Sequence, residues 1–217
     1  PPLFFLMIRR PPRSTLFPTR RSSDLTIVDA TFVDAPRQRN SRDENKKIKN
    51  GEIPEEWENE PHKLSQKDTD ARWTKKGDEK HYGYKDHVKV DADSKLILDY
   101  AVTPANVHDS NEFENFFNEQ DEVGYADSAY IGKKLPEHIR NEVCEKGYRN
   151  KLLTEEQKEN NRRKSKIRCR IEHVFGFMTM SMHGLTVRSI GIARARSEEH
   201  TSELQSPPDR VWRHLGV

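Results

Sequence analysis

The chain has 217 residues, 32% of them hydrophobic and 34% charged, with a formal net charge of +2. No apolar run approaches the roughly 20 residues of a membrane-spanning helix. Its two cysteines, Cys144 and Cys169, are too few for a disulfide scaffold and lack zinc-site spacing, so a soluble, cytoplasmic protein with no membrane partner is expected.

The first predicted element is a non-element. Phe5–Leu25, "FLMIRRPPRSTLFPTRRSSDL", resembles the conceptual translation of a sequencing-library adapter, and residues 196–206, "RSEEHTSELQS", resemble that of the opposite end. A secretory signal is excluded, because "LFFLMI" is shorter than the roughly 7 to 15 apolar residues such a signal needs and leads into "RRPPR". Residues 1–25 and 196–217 are therefore expected to be adapter-derived and disordered. They hold eight Lys or Arg and five acids, which leaves 30 basic against 31 acidic residues between them. The overall pI of 8.6 is then an artefact of the ends, and any nucleic-acid footprint must be local.

Residues 26–195 suit one domain. The first strand, Leu25–Val33, places Asp29 among Ile27, Val28, Phe32 and Val33. Burying an unpaired carboxylate costs several kcal/mol, so Asp29 needs a hydrogen-bonding, charged or metal partner. Residues 34–80 are polar without a period of two or 3.6 and predict a long solvated insertion, with Asp34 at the strand end and Asp68 and Asp70 as solvated loop acids. "HYGYKDHVKVDADSKLILDYAVTPA" predicts a hairpin turning at "DADSK". "SNEFENFFNE" predicts a short amphipathic helix capped by Ser110.

"VGYADSAY" is the next strand and ends on a second lone acid, Asp127. In "KKLPEHIRNEVCEKG" the spacing of Leu135, Ile139 and Val143 and the stop at Gly147 predict a helix, and "YRNKLL" a short strand. "TEEQ" from Thr154 has the form of a capping box. A longer helix then runs through "RRKSKIRCRIEHVFGFMTM", with Ile171, Phe175, Met178 and Met182 on one face. The order β, ββ, α, β, α, β, α is that of an α/β domain, a mixed sheet flanked by helices.

Asp29, Asp127 and Glu172 stand in comparable places: within a strand, at the end of another, and beside the apolar stripe of the last helix. Converging at one sheet edge, three such oxygen ligands would hold two divalent cations, a task suited to Mg²⁺. Ions so held activate water or a 3′ hydroxyl and stabilise the leaving oxygen of a phosphodiester. Leading into the last helix are six cations in nine residues: Arg162, Arg163, Lys164, Lys166, Arg168 and Arg170. They form either a phosphate-binding run or a solvated face. Arg168 is four residues before Glu172 and either pairs with it or meets phosphate. Arg72, Lys75 and Lys76, with Trp73, form either a stacking and phosphate surface or a plain exposed segment. His108 and Asp109 either orient the metal ligands from behind or form a capped turn, and His173 faces packing or DNA.

The blocks "TIVDATFVDAP", "DARWTKKGDEKHYGYKDHVKVDADS", "VTPANVHDS", "YADSAYIGK" and "RCRIEHVFGFMTMSMHGLTVRSIGIARA" together resemble the DDE transposases of bacterial insertion sequences, in the group numbered five. The resemblance spans about residues 26–195. It implies a ribonuclease H-like fold, with Asp29, Asp127 and Glu172 as catalytic metal ligands for two Mg²⁺ ions, Mn²⁺ substituting. It also implies cleavage and strand transfer on double-stranded DNA, at terminal inverted repeats and a target, by a homodimer on paired ends in the nucleoid. The signature around Glu172 keeps Arg168 but has Ser165 in place of a Tyr and Thr179 in place of a Lys. With no N-terminal DNA-binding region before Leu25, a catalytic-core fragment is expected. The alternatives are a truncated, inactive DNA-binding remnant and a ribonuclease H-like nuclease that cuts without joining.

Overall fold

A computed structural model describes residues 23–182 and 184–197. Its central strand, β1 (Leu25–Asp34), pairs antiparallel with β3 (Glu79–Asp91), from Thr26 opposite Asp91 to Asp34 opposite Gly83. On its other edge it runs parallel to β5 (Val123–Ala126), which in turn is parallel to β6 (Arg140–Val143). Residues 84–90 of β3 also pair with β4 (Ile97–Pro104), which must therefore lie on the edge away from β1. β4, β3, β1, β5 and β6 thus lie side by side, antiparallel at one end and parallel at the other, as in ribonuclease H-like folds. β2 (Arg72–Lys76) completes the six-stranded sheet by pairing with the start of β3.

Alternation along β1 sends Ile27 to one face and Val28 to the other. Ile27 joins Val88, Val90 and Tyr125 beneath Ile171, Val174, Phe175 and Met178 of helix α5 (Arg170–Ser181). Each such side chain contributes about 1.5–3 kcal/mol by leaving water. Val28 and Ala126 pack on the opposite face with Phe113, Phe116, Tyr130 and Val143. Helix α4 (Glu155–Arg168) begins with the expected capping box, Thr154 Oγ1 accepting from Gln157 N and Gln157 Oε1 from Thr154 N. The long helix breaks once, at Cys169.

Three local expectations are corrected. Residues 133–147 form no helix: Pro136 cannot donate within one, Ile139 N closes a turn on Pro136 O at 2.9 Å, and β6 follows. Parallel pairing with β5 satisfies this backbone, Arg140 N reaching Glu122 O at 2.7 Å and Cys144 N reaching Ala126 O at 3.1 Å. "YRNKLL" makes only a bridge between Tyr148 and Lys151. In place of the Ser110-capped helix stand two 3-10 turns, Asp109–Asn111, capped by the His108 ring, and Phe113–Phe116. Three residues per turn put Phe113 and Phe116 on one face, and both are buried.

The insertion is ordered and carries its own helices, α1 (Arg42–Lys49), α2 (Glu55–Glu58) and α3 (Pro61–Leu64). Trp57 is fully buried and donates from Nε1 to Glu44 Oε1 at 2.8 Å. Asp68, expected in solvent, is 3% exposed. Its carboxylate accepts from Tyr84 OH, from the amides of Asp70 and Ala71, both at 2.9 Å, and from Gly191 N at 3.1 Å. Asp70 Oδ2 adds Ile192 N at 3.2 Å, at the start of a helical segment, 192–197. Neither acid is solvated loop; together they knot the insertion to the far end of the chain.

Most of 1–25 and 196–217 lies outside the described residues. Of the remainder, Ser23 Oγ donates to Asp91 Oδ1 at 2.6 Å, Leu25 begins β1, and Tyr100 OH donates to Arg196 O at 3.3 Å. Among the described residues no helix is long and apolar enough to cross a membrane.

Candidate active site

The register of two parallel strands places the first two acids. Ile27 of β1 stands opposite Tyr125 of β5, so Asp29 and Asp127 each lie two residues further on. Two residues is one strand repeat, which returns both to the face that carries α5. Asp29 Oδ1 accepts from Ala30 N at 2.8 Å. Asp127 Oδ1 accepts from Ser128 N at 2.7 Å and so caps the 3-10 turn Ser128–Tyr130. Each aspartate therefore has one oxygen fixed by backbone.

Glu172 comes from the first turn of α5 and is largely exposed, at 61% of its side chain. Arg168, one helical turn earlier, lies between it and Asp29. Its Nη1 is 3.1 Å from Asp29 Oδ2 and 3.7 Å from Glu172 Oε1. Burial raises the pKa of Asp29 from 3.8 to about 6; the Ala30 amide and Arg168 oppose the rise, and the charges of Glu172 and Asp127 add to it. The three carboxylates thus sense one another through Asp29. They are not closed around a common point: among the described residues no three His, Cys, Asp or Glu side chains are grouped so as to hold a metal ion.

The donor chemistry nevertheless fits a hard divalent cation. All three side chains are carboxylates, and a positive charge, the Arg168 guanidinium, already bridges two of them.

A family model described as a transposase DDE domain matches residues 20–201. The chain belongs to this family. No solved structure matches it. DDE transposase domains act on DNA and use divalent metal ions, and the sequence expectation of an α/β, ribonuclease H-like transposase stands on both the sheet and the match.

Within the transposase domain the basic residues divide into two groups. Arg162 is exposed and, among the described residues, pairs with Glu159 at 2.8 Å; Arg163 and Lys166 are exposed too. Lys164, by contrast, donates to Val143 O at 3.0 Å, and Arg170 to Ala92 O at 2.9 Å and Asp93 Oδ1 at 2.7 Å. These two cations brace β6 and the β3–β4 turn. Arg72 is likewise spent inside, donating to Thr69 O, Ala71 O and Ile48 O at 2.6, 3.1 and 2.8 Å. Lys75 and Lys76 remain exposed on β2, beside Trp73, which is 45% exposed with Arg37 5.7 Å above its ring. His108 caps its own turn through Ser110, and Asp109 accepts from Lys85 Nζ at 2.7 Å. His173 is exposed on α5 and contributes nothing to the core.

Two features escaped the sequence. Arg140 of β6 joins Arg163, Lys164 and Glu142 around a cavity of about 230 Å³ between β6 and α4, a placement that depends on the unexpected strand. Tyr130, three residues after Asp127, is buried beside the acids; the only available signal was that short spacing.

Proposed function

We propose that this domain cuts and joins DNA phosphodiesters at the ends of an insertion sequence, with Asp29, Asp127 and Glu172 as ligands for two Mg²⁺ ions, replaceable by Mn²⁺. The observation that carries the reading is the β1–β5 register, which sets Asp29, in the middle of β1, level with Asp127 just past the end of β5, on the face where Arg168 already links Asp29 to Glu172. When bound, such ions activate a water or 3′ hydroxyl and stabilise the leaving oxygen. Ala30 N and Ser128 N orient the two aspartates by holding one oxygen of each. Arg168 neutralises the acids while no other cation is present. The exposed Arg162, Arg163 and Lys166 offer a phosphate track along α4 toward that site. The substrate in this reading is double-stranded DNA, terminal inverted repeats and target, held by a homodimer on paired ends.

A second reading, a DNA-binding remnant without catalysis, is supported by the open arrangement of the three acids. Nicking of end-containing DNA with Mg²⁺ or Mn²⁺ separates the two. Asp127→Asn is expected to abolish nicking while leaving DNA affinity within about twofold, since it removes a metal ligand and not a phosphate contact. DNA binding by the unaltered chain with no metal-dependent nicking decides for the remnant.

A further inference from the structure

Tyr130 closes the 3-10 turn that Asp127 caps. Its side chain is 2% exposed, and its ring lies 4.8 Å from that of Phe113 at 36°. It packs in the cluster that contains Val28 and Ala126, the residues immediately before Asp29 and Asp127. The ring thus shares a packed cluster with the side chains that precede both aspartates. Yet its hydroxyl, fully buried, makes no hydrogen bond among the described residues. For packing alone a Phe would serve, because a buried hydroxyl without a partner is a cost with no return.

Charged groups surround that oxygen. Burial, then the Asp29, Asp109 and Asp127 carboxylates, hold the phenol proton far above its usual range, with Arg168 acting in the opposite sense. With its proton held, the hydroxyl can donate, and the carboxylates whose charge reaches it are the acceptors open to it. In this structure the Asp29 carboxylate already accepts from Ala30 N and from Arg168. A divalent cation arriving at the acids would displace the guanidinium and leave Asp29 short of a donor.

We propose that Tyr130 is a positioning residue of the acidic site, its hydroxyl donating to the Asp29 carboxylate once a divalent cation replaces Arg168 there, and so fixing the orientation in which Asp29 binds that cation. This rests on the reading of Asp29, Asp127 and Glu172 as metal ligands. Partners behind a metal ligand are typically worth 10–100-fold in metal affinity.

The test is a calorimetric titration of the full chain with Mn²⁺, comparing wild type, Tyr130→Phe, Phe113→Leu and Asp29→Asn, together with thermal melts in chelator. Tyr130→Phe is expected to bind Mn²⁺ about tenfold or more weakly. Its metal-free melting temperature should equal or exceed that of wild type, because an orphaned hydroxyl has been removed. Phe113→Leu loosens the same packing but keeps the hydroxyl; it should melt lower and bind Mn²⁺ like wild type. An affinity of Tyr130→Phe within twofold of wild type, or an equal loss in Phe113→Leu, overturns the proposal. Mn²⁺ binding by Asp29→Asn as tight as wild type, or none by wild type, removes the ligand assignment itself and Tyr130's role with it.

Discussion

Replacing Asp29 by Asn removes a carboxylate that the fold holds against its own preference for a proton. The group is shifted from 3.8 to about 6, with burial as the first cause, and its side chain is only 19% exposed. A raised carboxyl pKa means that between about pH 4 and 6 the folded chain keeps a proton that the unfolded chain has released. Stability therefore falls as pH rises through that window and levels off above it. At 1.36 kcal/mol for each pKa unit, ionised Asp29 costs the metal-free fold about 2–3 kcal/mol at neutral pH, the pull of Arg168 already included. Asn keeps an oxygen for the Ala30 amide and has no charge to desolvate. Asp29→Asn should therefore stabilise the metal-free chain by about 2–3 kcal/mol at pH 7, seen as a rise of about 5–10 °C in melting temperature for a domain of this size. The gain should vanish below about pH 4, where both states of the wild type are protonated. Thermal melts in chelator at the two pH values measure it, and Mg²⁺ should then stabilise wild type alone. A variant less stable than wild type at pH 7, or a gain independent of pH, would refute the reasoning.

Three further outcomes follow from the geometry. Changing Arg162, Arg163 and Lys166 together to Ala should weaken DNA binding on all sequences and make the salt dependence shallower by up to about 0.9 per lost phosphate contact, measured by anisotropy across a salt series. Lys89→Met leaves Asp121 buried without the ammonium now 2.7 Å away, and should cost about 3–5 kcal/mol in urea unfolding. Asp68→Ala deprives Tyr84 OH and the amides of Asp70, Ala71 and Gly191 of their acceptor; at about 1–3 kcal/mol for each unsatisfied donor, the chain should fail to fold stably, while Asp68→Asn retains part of its urea midpoint.

How much was legible depended on whether a signal was local. β1, the β3–β4 hairpin, β5, the Thr154 box and the stripe on α5 all announce themselves within a dozen residues, and all formed where expected except that the expected strand 123–130 stops at Ala126 and gives way to the 3-10 turn Ser128–Tyr130. The acids could be singled out because a charge inside an apolar run is anomalous in sequence. β6 could not: four residues, Arg140–Val143, gain strand geometry only from the β5 edge, while Leu135, Ile139 and Val143 mimic a helical spacing that Pro136 interrupts. Asp68 was hidden for the same reason, since its burial is made by Tyr84 and Gly191, distant in sequence. Side-chain allegiance was the least legible property of all. Nothing in "RRKSKIRCR" distinguishes Lys164 and Arg170, which brace the fold, from Arg163 and Lys166, which face solvent.

The Asp68 knot also dictates an order of events during synthesis. Its bond to Gly191 joins residues 123 positions apart, whereas β1, β3 and β4 can pair as soon as residue 104 has emerged. A growing chain can thus assemble half of its sheet before the Asp68 carboxylate and Asp70 gain their bonds to Gly191 and Ile192. The insertion is secured when residues 191 and 192 arrive, after nearly the whole domain has been made. Contacts of such long sequence separation are slow to form, and until they do the polar insertion is the segment most open to a protease.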